Sequence, residues 1–184
     1  MIAYYLPWWN GRAAALSANA YDLAEFIVPV GRYANPPLLA TFALRGVFAG
    51  LAILFGLEAL QVRSFWRWLA GGLAAVLGIT LLPPPDFFLS RLWDDVNYRQ
   101  QFLVALGTGI ILVALALVNR QKQLPRILPS AVALLVIAAA IAGEVGALDV
   151  VRSFHVEAPV GIGCVGLVLV MVVNLGLALR VRQT

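Results

Sequence analysis

Five long apolar stretches dominate the chain: Pro37 to about Val62, Phe65 to Leu82, Phe102 to Val118, Ile127 to Leu148, and Pro159 to Leu179. A helix needs about 20 apolar residues to cross the roughly 30 Å hydrocarbon core of a bilayer. Only helices and closed barrels satisfy their backbone groups there. The stretches predict an all-α integral membrane protein: one membrane domain, 1–184, with transmembrane helices at 37–62, 65–82, 102–118, 127–148 and 159–179. Composition agrees, with 62% hydrophobic and 12% charged residues against nearer half and a quarter in soluble domains. The second and third spans are short, so they lean on aromatic and arginine anchors at their ends. Trp66, Trp68, Phe87, Phe88 and Trp93 are placed for that role.

Charge placement predicts the orientation. The segments after the first, third and fifth spans carry Arg63 and Arg67, then Arg120, Lys122 and Arg126, then Arg180 and Arg182, with no acid among them. The opposite side carries Arg12, Arg32, Arg91, Arg99 and Arg152 against Asp22, Glu25, Asp86, Asp94, Asp95, Asp149 and Glu157. The positive-inside rule then puts the N-terminus outside and the C-terminus in the cytoplasm. Residues 1–36, 83–101 and 149–158 form the outer face, and scattered basic residues at span ends argue against nucleic acid as a partner. Two short interfacial helices are expected on that face. One is in NAYDLAEF, capped by Asn19; the other is in PDFFLSRLWDDVNYR, with Phe88, Leu92 and Val96 along one side. No cleavable signal peptide, lipidation box or internal repeat is apparent.

GIGCVG, residues 161–166, matches the G-x-G-x-x-G dinucleotide fingerprint. That fingerprint requires a strand before it and an acidic residue about 20 positions on, and neither is present. Gly161, Gly163 and Gly166 therefore read as positions where a second helix approaches closely. The same reading applies to Gly46 and Gly50 in the first span and to Gly107, with Gly109, in the third.

Residues that carry chemistry are sparse. Arg45 falls about 12 Å inside the outer end of the first span, a depth at which an ionisable group suggests function by default. The structural alternative is that it snorkels outward or pairs with Glu144, near the outer end of the fourth span, just as Glu58, at the inner end of the first, is expected to be neutralised by Arg63 or Arg67. His155 is the only histidine and Cys164 the only cysteine, which leaves no zinc, di-iron or bis-His haem ligand set. A loop histidine is most simply solvated; its functional alternative is a ligand to a pigment magnesium supplied by a larger complex. Asp94 and Asp95 diverge on a helix rather than face each other. Thr41, Thr80, Thr108, Ser130 and Asn174 are expected to hydrogen-bond between helices. No catalytic residue is assigned, and Trp8, Trp9, Phe87, Phe88 and Trp93 are the candidate partner contacts.

The segment LPWWNGRAAALSANAYDLAEF, followed by PPLLATFALRG and several short-looped spans, resembles small accessory membrane subunits of bacterial energy-transducing assemblies, such as alternative complex III or reaction-centre complexes. The resemblance is one of layout and covers the whole chain. It implies a noncatalytic, multi-pass subunit of the bacterial inner membrane that binds other integral membrane subunits and lipids. Such a subunit holds no cofactor alone but touches quinone, lipid or pigment within the complex. The haem, iron–sulfur and quinone signatures of the catalytic subunits are missing. The rival readings are a small transporter or channel acting through Arg45 and Glu144, and a membrane enzyme acting on lipid or quinone through His155 or Glu58.

Overall fold

Each of the five apolar stretches forms a helix. The computed structural model describes residues 6–10, 17–31, 38–62, 65–89, 94–120, 125, 127–153 and 160–180. The helices are α1 (Ala20–Gly31), α2 (Leu38–Gln61), α3 (Phe65–Thr80), α4 (Asp86–Leu89), α5 (Val96–Arg120), α6 (Leu128–Arg152) and α7 (Ile162–Arg180). Leu38–Gln61, Val96–Asn119 and Leu128–Arg152 are long and apolar enough to cross a membrane. At 16 residues, α3 rises about 24 Å and falls short of that criterion, as does the described apolar part of α7, Ile162–Leu175.

Hydropathy and helix boundaries differ where a polar cap decides. The third apolar stretch begins at Phe102, yet α5 begins at Val96. Asp95 causes the difference: its Oδ1 accepts the amides of Asn97 at 2.8 Å and Tyr98 at 3.4 Å, so the polar turn before the apolar run is already helical. The expected helix with Phe88, Leu92 and Val96 on one side is seen only in part. Its N-terminal part is the single turn α4, Val96 belongs to α5, and Leu92 and Trp93 lie outside the described residues. Asn19 does cap α1, accepting from the amides of Tyr21 and Asp22 at 2.9 and 3.0 Å. The expectation of helix alone misses a two-residue antiparallel ladder, β1 (Trp9–Asn10) with β2 (Ser17–Ala18), in which Trp9 faces Ala18.

The chain divides into two compact units, Met1–Val47 with Leu134–Thr184, and Phe48–Ala133. In the second unit α3 packs on α5. Phe87 is fully buried, with its ring centroid 5.7 Å from that of Phe102 and 5.3 Å from that of Phe88. Two side-chain amides join segments of this unit, Gln101 donating to the Leu82 carbonyl at 3.2 Å and Asn119 to that of Leu60 at 3.3 Å. The expected interhelical bonds of Thr80, Thr108 and Asn174 are instead local. Thr41, Thr80, Thr108 and Asn174 donate to the carbonyls of Leu38, Leu77, Val104 and Val170 in their own helices, because a carbonyl three or four residues back is always in reach.

The first unit holds the ladder, α1, the N-terminal part of α2, most of α6, and α7. A stripe of α6 at helical spacing, Val136, Ala140, Gly143, Glu144, Ala147 and Val151, faces inward, while Leu135, Ile141 and Val145 are exposed. On that stripe a Cβ added at Gly143 would meet Leu44 side-chain carbons at 2.9 Å, and one at Gly146 would meet the Ala40 Cβ at 2.8 Å. Small residues thus let α2 and α6 approach closely at Gly143 and Gly146, and a Cβ added at Gly46 of α2 would also touch Ala139 of α6.

Candidate functional site

The N-terminal segment is sewn to the start of α7 by its backbone. The Trp8 amide donates to the Ala18 carbonyl at 2.9 Å, the Gly161 amide to the Trp8 carbonyl at 2.5 Å, and the Gly163 amide to the Pro7 carbonyl at 2.8 Å. Trp9 also bridges to Val160. The first amides of a helix have no intrahelical acceptor, and carbonyls of residues 7 and 8 fill that need at α7. Glycine is required because a Cβ at 161 would meet the Pro7 and Trp8 backbone, and one at 163 the Trp8 ring and the Leu6 carbonyl. Gly161 and Gly163 therefore admit an extended segment and an indole, not the second helix expected from sequence. Gly46 is in ordinary contact with the Ala139 Cβ at 3.9 Å, and a Cβ at Gly107 would meet nothing within 4 Å. Gly50 and Gly166 are half-buried.

The same seam buries two of the candidate partner contacts. Trp8 is 0% exposed and Trp9 3%, so their surface is spent inside the chain. Phe87 is likewise interior, and of the described aromatic candidates only Phe88 keeps a substantial exposed face, 46%. Trp93 lies outside the described residues, as do Arg63 and His155; the Glu58–Arg63 pair is therefore outside the description, with Glu58 itself exposed.

Arg45 is buried, but its partner is not Glu144. Its Nη2 donates to Glu25 Oε1 at 2.7 Å, with the two side chains 3% and 32% exposed. Sequence reasoning placed Glu25 in the α1 cap motif and missed this role, since Glu25 is two residues from the fully buried Leu23 and Ile27 and so lies off their face of the helix.

Glu144 is left by itself. It is 3% exposed, and both carboxyl oxygens are buried without a hydrogen-bond partner. The Gly161 amide lies within electrostatic reach, but its hydrogen goes to the Trp8 carbonyl. The Cys164 thiol is close enough to interact electrostatically and sits 4.0 Å from the Ala140 carbonyl. The positive end of α7 favours a nearby carboxylate by at most about 2 kcal/mol. An ion buried in a protein interior forfeits several kcal/mol of hydration. The helix end alone does not balance Glu144. Most buried polar groups in proteins are hydrogen-bonded, which makes this carboxyl the chemically distinctive group of the unit. Among the described residues no cluster of three or more His, Cys, Asp or Glu side chains is placed to hold a metal. Compared with known proteins, the chain matches no family, no curated protein and no solved structure.

Proposed function

We propose that the chain is a noncatalytic accessory subunit of a larger membrane assembly, a five-helix protein with its N-terminus outside and its C-terminus in the cytoplasm. One observation carries the reading: α5 contributes little to the chain's own core. Only 22% of its apolar stretch is buried, against 50% for α2 and 39% for α6. Leu103, Ile110, Val113 and Leu117 stand exposed along it. An apolar face of that length suits another subunit's helix as well as lipid, because helix association in a bilayer rests on packing.

The polar groups support the same reading. Arg45 is held by Glu25, Gln101 and Asn119 join segments, and the threonines bond within their own helices. These are scaffold roles. The short helices α3 and α7 complete the five spans by standing close to the membrane normal or by local thinning of the bilayer. The resemblance in layout favours a bacterial inner-membrane electron-transfer assembly, in which this subunit touches quinone, lipid or pigment held by its neighbours.

Affinity capture of the full chain from native membrane in mild detergent, followed by native mass measurement and absorption spectra, tests the proposal. Stoichiometric partner subunits are expected, with haem or pigment bands if the assembly transfers electrons. A lone monomer or homo-oligomer that moves a solute across vesicles would overturn it in favour of transport.

A further inference from the structure

Glu144 is the described buried side chain that the scaffold does not use, and it invites a ligand from outside the chain. Its place is built: it sits on the inward stripe of α6 between Ala140 and Ala147, flanked by the close approach of α2 at Gly143 and Gly146 and faced by the start of α7 at Gly161 and Cys164. Arg45, the buried charged residue of α2, is bonded to Glu25 of α1 at 2.7 Å, and the other acids of these two helices, Asp22 and Glu58, are exposed. From α7 the facing groups are the Gly161 amide, already donated to Trp8, and the Cys164 thiol.

We propose that the Glu144 carboxylate binds a monovalent cation, a proton or Na⁺, within the membrane-embedded part of this chain. Three observations set the ligand class. The carboxyl supplies one negative charge, so a single positive charge neutralises it. Mg²⁺ and Ca²⁺ bring two positive charges against this one carboxylate, and no cluster of three acidic or other metal-binding side chains exists among the described residues. Both oxygens are sealed from solvent, which restricts the ligand to an ion without bulk. Ionisable groups at such depth commonly mark ion or proton sites. Local opening of the seam between residues 7–8 and 161–163 gives the route in, since elements held by a few backbone bonds open far below the global unfolding free energy. The inference is independent of whether the chain is an accessory subunit.

The test uses the full chain in detergent with its Glu144→Gln variant, which keeps the side chain's shape and removes the charge. Two readouts are combined: modification of Glu144 by an apolar carbodiimide, located by peptide mass, and thermal melting in NaCl against choline chloride at equal ionic strength. A bound Na⁺ slows modification at least tenfold and raises the melting temperature relative to choline, and E144Q shows neither effect. A bound proton gives modification that grows as the pH falls and that Na⁺ does not block, or a melting difference between the two proteins that changes with pH. The proposal is overturned if Glu144 stays unmodified from pH 5 to 9, melting is the same in Na⁺ and choline, and the difference between wild type and E144Q is flat across that range.

Discussion

The seam between the N-terminal segment and α7 makes one substitution far more damaging than its size suggests. Gly161→Ala adds a single methyl, but that methyl meets the Pro7 and Trp8 backbone, and backbone cannot rotate away as a side-chain tip can. The segment must withdraw. It then loses the bonds from the Gly161 and Gly163 amides, worth about 1 kcal/mol each. It also partly uncovers Trp8, whose full burial contributes about 1.5–3 kcal/mol. The expected loss is about 3 kcal/mol, which for a chain of this length lowers the melting temperature by about 10 °C. The assay is built into the sequence: Cys164 is the only cysteine, is buried, and lies one residue past Gly163, so a thiol-reactive fluorophore reports the opening of the seam on heating. Gly72→Ala and Gly107→Ala are the controls. Both glycines lie inside helices with nothing within 4 Å of an added Cβ, and alanine there gains about 0.5–1 kcal/mol. If G161A melts with the wild type, or gains stability as the controls do, the backbone contact at 161 is refuted.

Other substitutions separate the kinds of contact. Glu25→Ala leaves the Arg45 guanidinium, 3% exposed, without its carboxylate and should cost about 2–3 kcal/mol, below the 3–5 of a fully buried pair because Glu25 is itself 32% exposed; the same thiol melting assay reads it, and a neutral result would discard the ion pair. Asn19→Ala removes the α1 cap and should cost about 1 kcal/mol, seen as faster hydrogen exchange at Tyr21 and Asp22 with little change in α5. Gly56→Ala meets only the mobile tip of Leu112 and should cost less than about 1.5 kcal/mol. A loss at Gly56 as large as that at Gly161 would show that side-chain and backbone clashes are not distinguished in this fold.

Hydropathy located the helices because lipid-facing and core-facing positions are both apolar, so each span reads as an unbroken run. For the same reason it could not say which face turns inward. Gly143 and Gly146 on either side of Glu144 carry the close approach, whereas Gly107 has open space; spacing alone does not separate them. Helix ends are legible only where the sequence shows a cap: Asn19 reads as one, whereas Asp95 reads as part of an acidic surface pair. The partner of Arg45 was missed because Glu25 sits on α1, outside the apolar runs, and only the folded position of α1 brings it to α2. Trp8 and Trp9 looked like exposed docking groups because aromatic residues at a chain end have no hydrophobic period to assign them. Their burial depends on a backbone partner about 150 residues away.

That separation also orders events during synthesis. At about 5–20 residues per second, Trp8 leaves the ribosome roughly eight to thirty seconds before Gly161. Throughout that interval the carbonyls of Pro7 and Trp8 lack their helix-end donors and the Trp8 indole lacks its glycine floor. Helix α7 therefore acts as the closing stitch: until it forms, residues 7 and 8 remain open to proteases and to any chaperone that recognises exposed aromatic groups.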